Sequence, residues 1–298
     1  METRSAAASL IVSLRPDQWT KNLIVFAALI FAVQLFDPAA LALASAAFLI
    51  FCGLSGAVYL VNDVSDREAD RLHPLKKMRP IASGALSPGT ALLWAAALIV
   101  VGLAAAFALR PMFGVAAASY VTLVIWYSRA LKHVVIIDVM SIAIGFVLRA
   151  VAGGVVIGVP ISDWLLVCTI LGALFLGLAK RRHELTLLAE GATGHRRILE
   201  EYDPYLLDQM IAVVAAATLV AYIIYCASPE TAEKFGTQWL VLTTPFPIYG
   251  IFRYLYLVHR KHGGGSPSDL LLRDRPLLGC VALWGLAIVL IIYRPFAS

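Results

Sequence analysis

Nine runs of mostly apolar side chains divide the sequence, near residues 22–37, 39–62, 90–109, 112–128, 134–158, 164–180, 205–227, 238–258 and 277–294. A helix needs about 17–25 such residues to cross the hydrocarbon of a bilayer, so the pattern predicts a polytopic membrane protein with about nine transmembrane helices. Composition agrees, with 60% of residues hydrophobic and 14% charged, against about 25% charged in soluble domains. The first run is short and begins directly after Lys21 and Asn22. Residues 5–14 are apolar too, but Arg15, Pro16 and Asp17 interrupt them. That segment is expected to lie in the interface as a short helix and not to be a cleaved signal.

Charge sets the orientation. Nineteen Lys and Arg side chains fall in the N-terminal segment and in the loops after runs two, four, six and eight, against Arg110, Lys234 and Arg294 on the other side. The positive-inside rule then places the basic loops, including 62–88 and 180–203, in the cytoplasm of a multi-pass protein of the cell membrane. The basic balance follows from this rule, so no nucleic-acid partner is implied. Cys52, Cys168, Cys226 and Cys280 each sit within an apolar run and share no short spacing. They read as packing residues, not as a disulfide or zinc framework.

Within this apolar chain, the stretch from Asn62 to Pro80 is dense in charge. Asp63, Asp66 and Asp70 are spaced i, i+3, i+7, which on a helix puts three carboxylates on one face. Three like charges repel unless a cation neutralises them, and an all-oxygen donor set favours Mg²⁺. Arg71, Lys76, Lys77 and Arg79 follow closely and suit the remaining charge of a diphosphate. The alternative is a solvated loop of mixed charge. Lys21 and Asn22, at the start of the first run, are further candidates; Arg15 could anchor the helix to headgroups, and Trp19 reads as such an anchor. Tyr127 and Lys132 flank the fourth loop, and Asp138, Ser141, Gly145 and Arg149 form one stripe down the fifth run. Asp138 and Arg149 stand about 16 Å apart along a helix axis, too far for a direct pair, so each needs another partner. Lys180, Arg181 and Arg182, followed by Glu184, form a basic group after run six. None of the histidines has a metal-ligand spacing.

Together these features resemble the UbiA superfamily of intramembrane prenyltransferases over nearly the whole chain. The finer motifs are similar to its decaprenyl-phosphate phosphoribosyltransferase branch. They are Arg15-Pro-Asp-Gln-Trp-x-Lys21-Asn22, Asn62-Asp63-x-x-Asp66-x-x-x-Asp70-Arg-x-His-Pro-x-Lys76-x-x-Arg79-Pro, Tyr127-Ser-x-x-Leu-Lys132-His133, Asp138 with Leu148-Arg149-Ala-x-Ala-Gly-Gly, and Lys180-Arg181-x-x-Glu184-Leu. The resemblance implies an all-α, UbiA-like bundle, one intramembrane transferase domain over 1–298, with a polar cavity facing the cytoplasm. It implies Mg²⁺, with Mn²⁺ as a substitute, and transfer of 5-phosphoribosyl from phosphoribosyl diphosphate (PRPP) to a polyprenyl phosphate for cell-envelope glycan synthesis. Prenyl-transferring relatives carry a second aspartate-rich motif after the sixth span, where this chain has Lys180-Arg181-Arg182-His183-Glu184.

On that reading Asp63, Asp66 and Asp70 hold the metal, and Asn62 bonds a phosphate or ribose oxygen. Lys76, Arg79, Lys132, Lys180, Arg181 and Arg182 neutralise phosphates with help from Lys21. Tyr127, Asp138 and Glu184 line the substrate, and Arg149 meets either the acceptor phosphate or a buried group of the protein. The bilayer receives the lipid tail, and a homo-oligomer is left open. An aromatic polyprenyltransferase of the same fold and a secondary transporter are the competing readings.

Overall fold

The computed structural model describes residues 5–73, 76–189, 201–260 and 267–293. All regular structure among them is helical. In chain order the α-helices are α1 (Ala6–Ser13), α2 (Ala27–Phe31), α3 (Pro38–Ser65), α4 (Arg67–Leu72), α5 (Pro80–Ser83), α6 (Pro88–Leu109), α7 (Pro111–Arg129), α8 (Ile137–Ile157), α9 (Asp163–Ala189), α10 (Pro204–Ala227), α11 (Pro229–Phe235), α12 (Pro245–Arg260), α13 (Pro267–Arg273) and α14 (Arg275–Tyr293). Tighter 3-10 turns occupy Pro16–Phe26, Lys76–Met78, Leu131–His133 and Trp239–Thr243.

Proline and its neighbours set many of the boundaries. Proline opens α3, α6, α10 and α11, where the missing N–H is one of the unpaired donors of a first turn anyway. The residue before each is a cap. Asp37 accepts from the Ala39 N–H at 2.8 Å, Ser87 from Thr90 at 3.1 Å, Asp203 from Leu206 at 3.1 Å and Ser228 from Thr231 at 3.2 Å.

Among the described residues seven helices are long and apolar enough to cross a membrane: α3, α6, α7, α8, the Asp163–Thr186 part of α9, α10 and α14. The expectation of nine is therefore not met by nine continuous helices. The run at 22–37 is realised as a 3-10 segment, the short α2 and a turn in which Val33 adopts φ 59°. The run at 238–258 is cut by Pro245 and Pro247, leaving a 3-10 turn and the 16-residue α12. Irregular backbone at membrane depth is tolerated where protein surrounds it. The first of these segments meets that condition, because Val25 and Leu29 are fully buried. A second difference concerns 180–203, expected as a loop: α9 continues through Ala189, so Lys180 to Glu184 are helical. Residues 190–200 of that expected loop, with His195, lie outside the described residues, as do 74 and 75 of the loop 62–88.

Neighbouring helices pack in sequence, α3 on α6, α6 on α7, and then α7 through α10 in turn. α8 is central and also touches α3, α2 and the 3-10 segment. Its inner face is small, with Ala143, Gly145, Ala150, Ala152, Gly153 and Gly154, which lets backbones approach closely where hydrophobicity alone does not drive helices together. The ends of the chain meet. The Tyr293 hydroxyl donates to the Ile30 carbonyl at 2.9 Å and accepts from the Leu35 N–H at 3.0 Å, and α13 packs on the 3-10 segment.

Gly153 is the closest of these approaches, since a Cβ there would overlap the Val25 carbonyl, a backbone atom that cannot swing aside. Gly153→Ala should therefore lower stability by about 1–3 kcal/mol, as overpacking does elsewhere. Thermal unfolding in detergent checks this, with Gly172→Ala as control because a Cβ at Gly172 meets nothing within 4 Å.

Candidate functional site

The acidic motif sits where α3 ends. Asp66 caps that helix at φ −91°, ψ 6°, and α4 begins at the next residue. The Asp70 N–H still donates to the Asp66 carbonyl at 2.8 Å, so the path stays roughly helical across the break. Asp63 and Asp70 consequently converge. Arg79 Nη1 lies 3.1 Å from Asp63 Oδ1 and 2.6 Å from Asp70 Oδ2. Asp66 turns instead to Lys132 Nζ at 3.1 Å. The expected set of three carboxylates round one point is thus not formed, and among the described residues no three His, Cys, Asp or Glu side chains gather as a metal cage. The departure from helical dihedrals at Asp66 is the physical reason. Two carboxylates closing on one positive atom still make a hard, all-oxygen cation position, and Mg²⁺ is commonly held by one or two carboxylates with substrate phosphates completing its shell.

Arg15 belongs to this cluster, although sequence reading names it as no site residue and leaves headgroup anchoring open for it. Its Nη2 donates to Asp63 Oδ1 at 2.5 Å, and its guanidinium lies 4.6 Å from the Tyr59 ring centroid. Arg15 has φ 52°, a left-handed conformation that is costly outside glycine.

A second cluster joins α7, α8 and α9. Asp138 is fully buried, its Oδ2 accepting from Arg181 Nε at 2.6 Å and its Oδ1 from the Tyr202 hydroxyl at 2.8 Å. Arg181 is 1% exposed and spends its other nitrogens on Glu184 at 2.5 Å and the Tyr127 hydroxyl at 3.2 Å. Lys180 Nζ reaches Glu184 at 4.0 Å, while Arg182 faces Asp208 at 3.0 Å and Thr186 at 2.8 Å. The expected basic wall of three parallel cations is therefore corrected. Successive residues of an α-helix diverge by about 100°, so only one of the three can face inward. Tyr202 is a residue that sequence reading missed, for no motif marks it. Burial pushes its hydroxyl up to about 12, so it stays a donor to Asp138 while accepting from the Ile136 N–H at 2.8 Å.

The remaining candidates lie deeper or at the rim. Arg149 Nη2 donates to the Tyr120 hydroxyl at 2.9 Å, and its guanidinium lies 4.7 Å and 4.9 Å from the Tyr120 and Phe146 ring centroids. Asn22 is buried and donates to Ser55 Oγ at 3.3 Å. Asn62 and Lys76 are half-buried near the acidic motif. Half-buried Lys21 is pushed down to about 8, chiefly by burial and then by repulsion from Arg149 and Arg15.

A cluster of buried acids and bases at the ends of α3, α8 and α9 is not what inert packing requires, and comparison with known proteins gives the chain's family. Residues 22–269 match the UbiA prenyltransferase family. The chain belongs to that family. It is 35% identical to the decaprenyl-phosphate phosphoribosyltransferase of Corynebacterium glutamicum over 97% of this chain and 88% of that one. It is 34% identical to the protein of the same name from Mycolicibacterium smegmatis, covering 94% and 91%. A UbiA homolog from Archaeoglobus fulgidus, solved bound to GPP and Mg²⁺, superposes with TM-score 0.71 at 20% identity over 94% of this chain and 99% of that one. The protein is therefore a UbiA-family transferase, and the resemblance read from its motifs holds.

Lys21 makes this UbiA site sensitive to pH. Its folded value lies below the ordinary lysine value, so between about pH 8 and 10.5 the unfolded chain holds more protons and stability from this residue rises with pH. Anion binding runs the other way, because the charge is lost through the same window. The affinity for phosphate lost between pH 7 and pH 9 should be larger in wild type than in Lys21→Arg, as titration calorimetry on both forms would show.

Proposed function

We propose that this transferase moves 5-phosphoribosyl from PRPP onto a polyprenyl phosphate such as decaprenyl phosphate, at the cytoplasmic face of the cell membrane. The observation that carries this reading is the setting of the acidic pair. Asp63 and Asp70 are enclosed by Arg15 and Arg79, with Lys132 on Asp66. A second acidic motif after the sixth apolar run is replaced by Arg181 and its partners. A donor bearing a diphosphate and a 5-phosphate, with an acceptor that is itself a phosphate, needs cations on more than one side. The similarity to named phosphoribosyltransferases over nearly the whole chain supports the same choice.

The donor's diphosphate would occupy the mouth of the site, with Arg79, Arg15 and Lys132 turning from carboxylates to phosphate oxygens. These groups are prepositioned where charge grows on the leaving oxygen, which is how electrostatic catalysis lowers a barrier. Mg²⁺, or Mn²⁺ in its place, would be held by Asp63 and Asp70 and would add positive charge at the diphosphate. The bond from ribose C1 to the diphosphate breaks, C1 becomes oxocarbenium-like, and an oxygen of the acceptor phosphate forms the new bond from the opposite face. The products are diphosphate and polyprenyl-phosphoryl-5-phosphoribose, a lipid-linked pentose suited to envelope glycan assembly. A phosphate monoester is largely ionised near neutral pH, so the attack needs no strong general base. Asp138 fixes Arg181, and through it Tyr127, against the ribose side. Asn62 and Lys76 supply contacts at the rim.

Purified protein supplied with PRPP, decaprenyl phosphate and Mg²⁺ should release diphosphate and form the phosphoribosyl lipid. EDTA should stop turnover, and Asp63→Asn should reduce it by at least about a hundredfold, the scale of losing one key electrostatic contact. Turnover with geranylgeranyl diphosphate and an aromatic acid, and none with PRPP, would instead support aromatic prenyl transfer.

A further inference from the structure

Among the described residues two arginines are buried, and they are treated differently. Arg181 bonds through all three guanidinium nitrogens, to Asp138, Glu184 and Tyr127. Arg149 is 7% exposed and stacks against the Tyr120 and Phe146 rings, yet only its Nη2 has a hydrogen-bond partner, while Nε and Nη1 are buried with none. A buried guanidinium with two idle donors is unfavourable in an apolar bundle unless something anionic completes it. The surroundings point the same way. Lys21 lies within electrostatic reach of both Arg149 and Arg15. Asn22, 1% exposed, has its Oδ1 unpartnered. Among the described residues neither Arg149 nor Lys21 forms an ion pair.

The polar positions make a continuous strip. On α3 they fall at Asp63, Tyr59, Ser55 and Cys52, and on α8 at Asp138, Ser141, Gly145 and Arg149. Each strip descends eleven residues, about 16 Å of helix. Gly145 leaves room for the Tyr120 ring, 3.8 Å from where a Cβ would sit. Asn22 ties the 3-10 segment to the lower end through Ser55 and Cys52.

We propose that Arg149 and Lys21, with Asn22 beside them, form a phosphate-monoester subsite at the deep end of this strip, separate from the diphosphate position at Asp63 and Asp70. Two cations match a dianion, and the free edge of the guanidinium offers paired donors to two of its oxygens. Two sources of that chemistry exist if the phosphoribosyl-transfer reading holds, on which only the ligand's identity rests: the head of the polyprenyl phosphate or the 5-phosphate of PRPP.

The full-length protein in detergent is titrated first with inorganic phosphate, read by thermal shift. Wild type should be stabilised, and Arg149→Met and Arg149→Lys should weaken phosphate binding by roughly thirtyfold or more, the scale of losing one partner of a buried hydrogen-bonded charge pair. Tyr120→Phe removes the structural bond but no charge, and should keep most of the binding. Lys21→Met carries the test if Arg149→Met does not fold. Titrations of Arg149→Lys with decaprenyl phosphate against decaprenol, and with PRPP against ribose 1-diphosphate, then assign the source as the ligand whose phosphate-dependent affinity falls. Unchanged phosphate and substrate binding in the Arg149 variants would overturn the proposal. So would a Tyr120→Phe variant that loses phosphate binding as fully as Arg149→Lys, which would make Arg149 structural. Phosphate binding that depends on Arg149 in a protein without phosphoribosyl transfer would leave the subsite standing and remove the functional reading.

Discussion

Charge in a low-dielectric bundle must be paired, and in this protein the pairs are made across helices. Arg15, ahead of the first apolar run, reaches Asp63 at the end of α3, Lys132 after α7 reaches Asp66, and Arg181 of α9 reaches the fully buried Asp138 of α8. Burying an ion costs several kcal/mol before any partner is found, and removing one member of such a pair leaves the other exposed to that full cost. The arrangement is therefore a weak source of net stability and a strong constraint on register. It fixes how α3, α8 and α9 meet.

The irregular backbone lies beside these pairs. Among the described residues, Arg15 at φ 52° and Ile136 at φ 69° are two of the three non-glycine residues with positive φ, and they border the Asp63 and Asp138 clusters respectively. Ile136 gives its N–H to Tyr202, which in turn holds Asp138. Strained residues persist where surrounding contacts over-determine them, and functional sites are where that is common. The 3-10 segment Pro16–Phe26 follows directly on Arg15, carries Lys21 and Asn22, and brings its Val25 carbonyl against Gly153.

Much of this was legible before any coordinates. Apolar runs located the seven long helices because burial in lipid is read directly from composition, and Asp63, Asp70 and Arg79 stood out by charge density in a chain that otherwise avoids charge. The separate partners demanded by Asp138 and Arg149 also followed, from helix rise alone. The breaks were harder. Hydropathy cannot distinguish a continuous span from a 3-10 segment with a turn, so 22–37 and 238–258 read as helices. Side-chain direction within Lys180-Arg181-Arg182 required knowing that α9 continues through Ala189. Arg15 and Tyr202 were invisible for a simpler reason: their roles come from tertiary neighbours 48 and 64 residues away in sequence.

The central claim is that the charged groups at the end of α3 exchange protein partners for substrate. Its most direct test is an experimental structure with PRPP and Mg²⁺ bound. The account predicts that Arg79 leaves Asp63 and Asp70 for a diphosphate oxygen and that metal takes the position between those two carboxylates. Arg79 still bridging Asp63 and Asp70, with donor and metal bound elsewhere in the bundle, would contradict it.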